Sequence, residues 1–220
     1  MQLNTVIFDI DGLLIDSEPL WAEAAAEVLS IYNISLSDEQ YKTTTGLRTR
    51  EFVHWWLHYF KLDAGLQPTI ERNIIEVVLQ KIKTKGTVMP GVNSVFNFFK
   101  EQQFKIGLAT SSPQTLIDLV VDMLQIKNVV MATASAEDLA FGKPHPEVYL
   151  HCAEQLQSHP LQCVCFEDSF NGMIAAKAAR MKCVVVPHHS QIKEERWAAA
   201  DLKLSSLQNF NALLLQKLNT

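Results

Sequence analysis

Short apolar runs alternate with longer segments of helical periodicity from about residue 104 onward. Five runs are apolar nearly throughout: TVIFDI near the N-terminus, FKIGLAT (104–110), VVMATA (129–134), CVCFED (163–168) and KCVVVP (182–187). Between them, segments such as SPQTLIDLVVDML and HPEVYLHCAEQL carry apolar residues at helical spacing. Continuously apolar strands separated by helices are typical of a parallel sheet covered on both faces. We therefore predict an α/β fold with a doubly wound, Rossmann-like parallel sheet.

The pattern changes between residues 17 and 86. This part of the sequence has no convincing strand, whereas three segments carry apolar residues at helical spacing: SEPLWAEAAAEVLSIY, TREFVHWWLHYF and PTIERNIIEVVLQKIK. The segment TKGTVMPGV (84–92), with two Gly and one Pro, is typical of a linker. We therefore predict a helical cap inserted at residues 17–86, with residues 1–16 and 87–220 forming the α/β core.

Polar side chains cluster where the predicted strands end. Ligands of open parallel sheets bind beyond the carboxyl ends of the strands, so these side chains should share one rim of the sheet. The set comprises Asp9 and Asp11 after the first strand, Thr110 and Ser111 after FKIGLAT, Lys143 in the FGKPHP segment after VVMATA, and Glu167 and Asp168 after CVCFED.

Four carboxylates on one rim would repel one another without a cation. Mg²⁺ prefers hard oxygen ligands and is usually held by one or two carboxylates together with substrate phosphate. Hydroxyl groups and Lys in turn suit phosphate oxygens. Each feature alone has a plain structural explanation, because Asp is common in turns, Ser and Thr cap helices, and acidic residues favour helix N-termini. All of them in this order, each at the end of a separate strand, indicate a Mg²⁺ site that binds a phosphate group.

This combination resembles the haloacid dehalogenase superfamily, whose four motifs correspond here to FDIDG, ATSS, GKPHP and CFEDS. The resemblance covers the whole chain, since the predicted insertion is similar to the small helical cap of one subgroup. The segments DGLLIDSEPLW, TTGLR, EDSFNGMIAAKAARM and DLKLSSL are similar to the bacterial sugar phosphatases of that subgroup, which act on 2-deoxyglucose 6-phosphate and hexitol phosphates.

The resemblance implies a role for each residue at the rim. Asp9 would be the nucleophile that forms an aspartyl phosphate, and Asp11 would act as general acid and base. Mg²⁺ would be held by the Asp9 carboxylate, the backbone carbonyl of Asp11 and the Asp168 carboxylate. Glu167 would belong to the same metal site, acting behind these ligands or through a water. The oxygens of the transferring phosphoryl group would be bound by Thr110, the Ser111 backbone N–H and Lys143.

The resemblance therefore implies a Mg²⁺-dependent phosphatase of small phosphorylated sugars or polyols. Substrate choice is expected to lie in the cap and in the loop that carries Glu18. Arg48, in TTGLRTR, is the best candidate to contact substrate, and Arg50 is the second. A solvated arginine at a helix end is an equal alternative for both residues.

Two other classes of protein use a similar set of residues. The nearer is a β-phosphoglucomutase-like sugar-phosphate mutase. Trp21 stands where related mutases carry a histidine that helps to control the acid and base residue, and this departure favours a hydrolase. A signalling receiver domain also joins acidic residues, Thr or Ser, and Lys at the end of a parallel sheet. The helical insertion and Asp11 argue against it, because a receiver is a single compact domain.

Composition limits the binding partners and the cellular location that we expect for this protein. The 220 residues are 48% hydrophobic and carry a net charge of -5, which gives no general attraction to nucleic acid. No stretch approaches the roughly 20 apolar residues that span a bilayer. The four cysteines lack paired CxxC spacing and are interpreted as reduced thiols. We expect a cytoplasmic enzyme, monomeric or weakly homo-oligomeric, that binds a small molecule and neither nucleic acid nor membrane.

Overall fold

A computed structural model describes residues 2–219 and places the predicted strands in one sheet. The strands are β1 (Thr5–Phe8), β2 (Lys105–Thr110), β3 (Ala132–Ser135), β4 (Cys163–Glu167), β5 (Lys182–Val185) and β6 (Leu202–Lys203). Neighbouring strands follow the order β3-β2-β1-β4-β5-β6, and all of these pairings are parallel. The chain starts in the middle of the sheet and extends it in both directions, as in a doubly wound fold. The predicted α/β core is confirmed.

The third strand begins later than the sequence indicates. The backbone N–H groups of Val129 and Val130 both donate to the carbonyl of Ile126, so these apolar residues close a turn instead of pairing with β2. Pairing with β2 begins at Ala132, which lies beside Gly107. The short strand β6 was not expected, because two residues show no periodicity.

Four helices form the insertion between β1 and the rest of the core: α1 (Glu18–Ser30), α2 (Asp38–Thr43), α3 (Thr49–Tyr59) and α4 (Gln67–Lys85). Local sequence explains the start of α2, because the Ser37 hydroxyl accepts the Gln40 N–H and the Gln40 side chain accepts the Ser37 N–H. Helix α4 packs against both α1 and α3. These helices lie within residues 17–86, and the division of the chain into two domains at those bounds stays a prediction.

Five further helices cover the two faces of the sheet: α5 (Val92–Glu101), α6 (Gln114–Leu124), α7 (Glu147–Gln155), α8 (Phe170–Ala178) and α9 (Ala212–Leu218). Val6 and Phe8 belong to the core that includes α5, α6 and α9, whereas Ile7 points to the face covered by α7 and α8. Burial on both faces explains why the strands are apolar throughout. No helix within residues 2–219 is long and apolar enough to cross a membrane.

The four cysteines pack in the core on the α7 and α8 side of the sheet. Cys163, Cys165 and Cys183 point to this face from their strands, and Cys152 meets them from α7. All four are free and buried. Burial raises the pKa of Cys163 to about 12, so this thiol stays protonated at neutral pH. These cysteines act as small apolar residues.

Phe8 joins β1 to an aromatic cluster on the opposite face. Its ring centroid lies 4.7 Å from that of Phe96 and 5.0 Å from that of Phe166, and the side chain is fully buried. We expect Phe8→Ala to lower the free energy of unfolding by about 3–5 kcal/mol, because it leaves a cavity in the core. Urea unfolding followed by circular dichroism measures this change. The control Leu213→Ala, at a position 76% exposed, should stay within about 0.5 kcal/mol, and equal losses would contradict the prediction.

Candidate active site

The carboxyl ends of β1 and β4 bring Asp9 and Glu167 to Lys143. The parallel register places Phe8 beside Phe166, so Asp9 and Glu167 follow at neighbouring strand ends. Lys143 Nζ lies 2.6 Å from Asp9 Oδ1 and 2.5 Å from Glu167 Oε1. All three side chains are buried. The fold thus puts three residues that are distant in sequence into direct contact.

Charge pairing determines the protonation of this group. Burial disfavours the ammonium charge of Lys143, but the carboxylates of Asp9 and Glu167 outweigh that effect and hold the pKa of Lys143 above its ordinary value. Burial also raises the pKa of Asp9, an effect that Lys143 opposes and that the Glu167 and Asp11 carboxylates reinforce. The negative charge of Asp9 therefore depends on positive charge nearby, from Lys143 or from a bound cation.

Glu167 uses both of its carboxylate oxygens on protein donors. Oε1 accepts hydrogen bonds from Lys143 Nζ and from the hydroxyl of Tyr149. Oε2 accepts from the backbone N–H groups of Asp168 and Ser169 and from the Ser169 hydroxyl. A carboxylate with this many donors suits a supporting position better than direct metal ligation. This geometry fits the expectation that Glu167 acts behind the metal ligands.

Two of these partners were missed by the sequence analysis. Ser169 caps α8, since its hydroxyl accepts the Gly172 N–H, and a Ser directly before a predicted helix is a signal that could have found it. Tyr149 is buried on α7 and resembles any apolar helix position in the sequence. No local pattern in the sequence marks the Tyr149 hydroxyl, because its hydrogen-bond partner, Glu167, lies on strand β4.

Asp11 is held by donors from both the insertion and the core. Ser17 Oγ and Trp21 Nε1 each lie 2.7 Å from Asp11 Oδ1. Ser112 Oγ lies 2.6 Å from Oδ2, and the Thr110 hydroxyl is 3.5 Å from the same oxygen. Three short hydrogen bonds therefore fix the orientation of this carboxylate, and one of them comes from Trp21.

Gly12 lets the chain turn sharply between Asp11 and the insertion. Its φ of +71° lies in the left-handed region that favours glycine. A Cβ atom at this position would lie 2.1 Å from Asp168 Oδ2. The glycine therefore permits the close approach of the loop to Asp168.

The donor set at the rim fits Mg²⁺. Carboxylate oxygens of Asp9, Glu167 and Asp168 lie within 4.8 Å of one another. Burial raises the pKa of Asp168, and the adjacent Asp9 carboxylate raises it further. Within residues 2–219, no group donates a hydrogen bond to the Asp168 carboxylate or to Asp9 Oδ2. Unpaired carboxylate oxygens in a crowded anionic cluster suit a hard divalent cation, and those of Asp9 and Asp168 are open to one.

A cavity of about 60 Å³ lies over these residues, between the core and the insertion. Asp9, Thr110 and Lys143 line it from the core, and Trp21 and Phe52 from the insertion. A wider cleft of about 830 Å³ borders it. The residues that line both spaces are Glu18, Ala25, Tyr41, Thr45, Asp168 and Ser169.

Glu18 and Ser111 both line the smaller cavity, as their predicted roles require. Burial raises the pKa of Glu18 to about 8, and the Asp11 and Asp16 carboxylates contribute. No group within the described part of the chain donates a hydrogen bond to the Glu18 carboxylate, which leaves it open to a polar ligand. The Ser111 hydroxyl, by contrast, donates to the carbonyl of Gly46.

Neither of the two candidate arginines lines the cavity over Asp9. Arg48 Nη1 donates to the carbonyls of Ala136 and Leu139, at 3.0 and 2.8 Å, and Nη2 lies 2.6 Å from Glu51 Oε1. Its Nε is buried without a partner in the described residues. Arg50 is exposed. Arg48 instead joins the start of α3 to the core segment after β3, and a substrate contact by either arginine stays a prediction.

Known proteins are similar to this chain in sequence and in fold. A family model described as haloacid dehalogenase-like hydrolase matches residues 3–180, and the chain belongs to the haloacid dehalogenase-like hydrolases. It is 39% identical over 212 residues to hexitol phosphatase B of Escherichia coli K12, covering 96% of each chain. It is 29% identical to a phosphorylated carbohydrates phosphatase of Thermotoga maritima, covering 86% and 87% of the two chains. A crystal structure of β-phosphoglucomutase from Clostridium difficile shares the fold, with a TM-score of 0.87 at 22% identity and coverage of 99% and 98%.

The buried position of Arg48 predicts a loss of stability on truncation. We expect Arg48→Ala to lower the free energy of unfolding by about 3 kcal/mol, because it leaves two carbonyls and the Glu51 carboxylate without a charged donor. Thermal and urea unfolding measure the change. Arg50→Ala, two residues away at an exposed position, is the matched control and should change stability by less than about 0.5 kcal/mol. Similar stability of the two variants would show that the Arg48 contacts contribute little.

Proposed function

We propose that this protein is a Mg²⁺-dependent phosphatase of small phosphorylated sugars or polyols, such as hexose 6-phosphates, 2-deoxyglucose 6-phosphate and hexitol phosphates. The observation that carries the proposal is the buried contact of Asp9 with Lys143, which leaves Asp9 Oδ2 open beside Asp168. The relatives support the substrate class, since one is named hexitol phosphatase B and another phosphorylated carbohydrates phosphatase.

In the proposed reaction, Asp9 attacks phosphorus, and the bond between phosphorus and the sugar oxygen breaks. The sugar oxygen takes a proton from Asp11, and the phosphoryl group stays on Asp9 as an aspartyl phosphate. Water then attacks that phosphorus, gives a proton to Asp11 and releases inorganic phosphate, which restores Asp9. The hydrogen bonds from Ser17 and Trp21 orient the Asp11 carboxyl group for both proton transfers.

The metal would be held at the open side of the rim. Asp9 and Asp168 would bind Mg²⁺, with the backbone carbonyl of Asp11 as the third protein ligand that the family resemblance implies. When bound, the cation would supply positive charge that reduces repulsion between the Asp9 carboxylate and an anionic phosphate. Glu167 would hold Lys143 in place through their ion pair.

The phosphate and the sugar would occupy different parts of the cavity. Lys143, the Thr110 hydroxyl and the backbone N–H of Ser111 would bind the transferring oxygens. The sugar would extend toward the wider cleft, where Glu18 and Tyr41 offer a carboxyl and a hydroxyl group to its hydroxyls. The cleft of about 830 Å³ is within the range of ligand sites in proteins.

Replacement of the nucleophile tests the reaction directly. We expect wild-type protein with Mg²⁺ to release phosphate from sorbitol 6-phosphate, 2-deoxyglucose 6-phosphate and glucose 6-phosphate. Asp9→Asn should lower kcat at least about a thousand-fold, because an amide oxygen cannot form the aspartyl phosphate. EDTA should abolish phosphate release from the wild type, and added Mg²⁺ should restore it.

Asp118→Asn is the matched control, since it neutralises an exposed carboxylate on α6, and its kcat should stay within about twofold of the wild-type value. Substantial turnover by Asp9→Asn would remove Asp9 from the nucleophile role. Conversion of β-glucose 1-phosphate to glucose 6-phosphate without release of inorganic phosphate would identify a mutase instead.

The Trp21 hydrogen bond gives a second prediction. Trp21→Phe keeps an aromatic ring at this position but removes the donor 2.7 Å from Asp11 Oδ1. We expect kcat on sorbitol 6-phosphate to fall about tenfold, because general acid catalysis depends on the orientation of Asp11. The loss on p-nitrophenyl phosphate, whose leaving group needs no proton, should be about twofold. Equal losses on both substrates would indicate a packing effect.

A further inference from the structure

Segment 44–48, between α2 and α3, is joined to the core by side chains that the proposed reaction does not use. The Asn171 side-chain amide donates to the carbonyl of Thr45 at 2.9 Å. The Ser111 hydroxyl donates to the next carbonyl, that of Gly46, also at 2.9 Å. Two consecutive carbonyls of the insertion thus receive donors from two separate core segments, the loop after β2 and the first turn of α8.

The fit between this segment and the core is close. Gly46 has a φ of +82°, and a Cβ atom there would lie 2.8 Å from Ser169 Oγ and 3.6 Å from Asn171 Cβ. A side chain at this position would therefore push the segment away from the start of α8. Arg48 extends the contact to the carbonyls of Ala136 and Leu139.

Each core partner lies next to a residue of the active site. Ser111 follows Thr110, Asn171 lies in the first turn of the helix that follows Asp168, and the segment after β3 leads to Lys143. Segment 44–48 in turn lines the cavity over Asp9. Its lining residues are Thr44, Thr45, Gly46 and Leu47.

From these contacts we infer that Asn171 and Ser111 are positioning residues whose side chains hold segment 44–48 against the core and so complete one wall of the active-site cavity. Substrate that needs this wall binds only the docked fraction of the protein. Its apparent affinity is therefore reduced by whatever fraction is undocked. Ser111 also links the wall to the phosphate site, because its backbone N–H is the proposed phosphate donor.

Hydrogen exchange on the free protein tests the inference without any assumption about activity. Asn171→Ala should increase amide exchange in segment 44–48 about fivefold, the effect of one lost hydrogen bond on the docking equilibrium. Ser111→Ala, which keeps the backbone N–H, should have a similar effect. Exchange within α8 should stay unchanged. Unchanged exchange in segment 44–48 of both variants would overturn the inference.

Asn171→Asp separates docking from the stability of α8. Asn171 is the second residue of α8, where a carboxylate favours the helix dipole, so the melting temperature should be maintained or rise. The same carboxylate would face the Thr45 carbonyl, so exchange in segment 44–48 should increase at least as much as in Asn171→Ala. Asn93, exposed at the second position of α5, gives the matched controls Asn93→Ala and Asn93→Asp, which should leave that exchange unchanged.

The kinetic test rests on the proposed phosphatase function. Asn171→Ala should raise KM for sorbitol 6-phosphate in proportion to the added undocked fraction, by at most about fivefold, and leave kcat within about twofold, because docking affects substrate and transition state alike. A fall in kcat with unchanged KM would instead indicate distortion of the catalytic loop and contradict the inference. Failure of the wild type to release phosphate would disprove the proposed function, whereas the exchange result would still decide the role of Asn171.

Discussion

The buried contact of Lys143 with Asp9 and Glu167 is the interaction on which the rest of the site depends. Three ionisable groups leave water here, which is costly unless each charge is paired. One ammonium group between two carboxylates leaves excess negative charge on the side of Asp9 that faces Asp168. That excess makes the rim suitable for a divalent cation and, through it, for a phosphate group. Loss of Lys143 would leave two uncompensated buried carboxylates, a larger effect than the loss of one contact.

The carboxylates of the rim differ because their neighbours differ. Glu167 accepts hydrogen bonds from Lys143, Tyr149 and main-chain donors on both carboxylate oxygens, which suits a supporting position better than direct metal ligation. Asp11 is oriented by hydroxyl and indole donors, which suits a group that gives and takes a proton. Asp168 has no such donor within residues 2–219 and therefore retains the strongest demand for a cation. Four acidic side chains of similar chemistry thus have different surroundings, which fit the separate roles proposed for them.

Local patterns predicted the parts of the molecule that depend on local physics. Apolar strands, helical periodicity and charges at strand ends were sufficient to predict the parallel sheet, the helical character of residues 17–86 and the convergence of Asp9 and Lys143. These patterns could not predict individual hydrogen bonds between segments that are distant in the sequence. Arg48 and Arg50 look alike in the sequence, but only Arg48 meets free carbonyls of the core after α3 has docked. The Tyr149 hydroxyl escaped notice for the same reason, because its acceptor belongs to β4.

Core and insertion exchange hydrogen bonds in both directions at the active site. Ser17 and Trp21 of the insertion donate to Asp11, and Ser111 and Asn171 of the core donate to segment 44–48. A shift of the insertion would therefore change the orientation of the Asp11 carboxylate and the wall of the cavity together. Asp11 would keep only its short bond from Ser112, which belongs to the core. In the proposed reaction, substrate binding and proton transfer would therefore be coupled through the position of the insertion, by residues that need not touch the substrate.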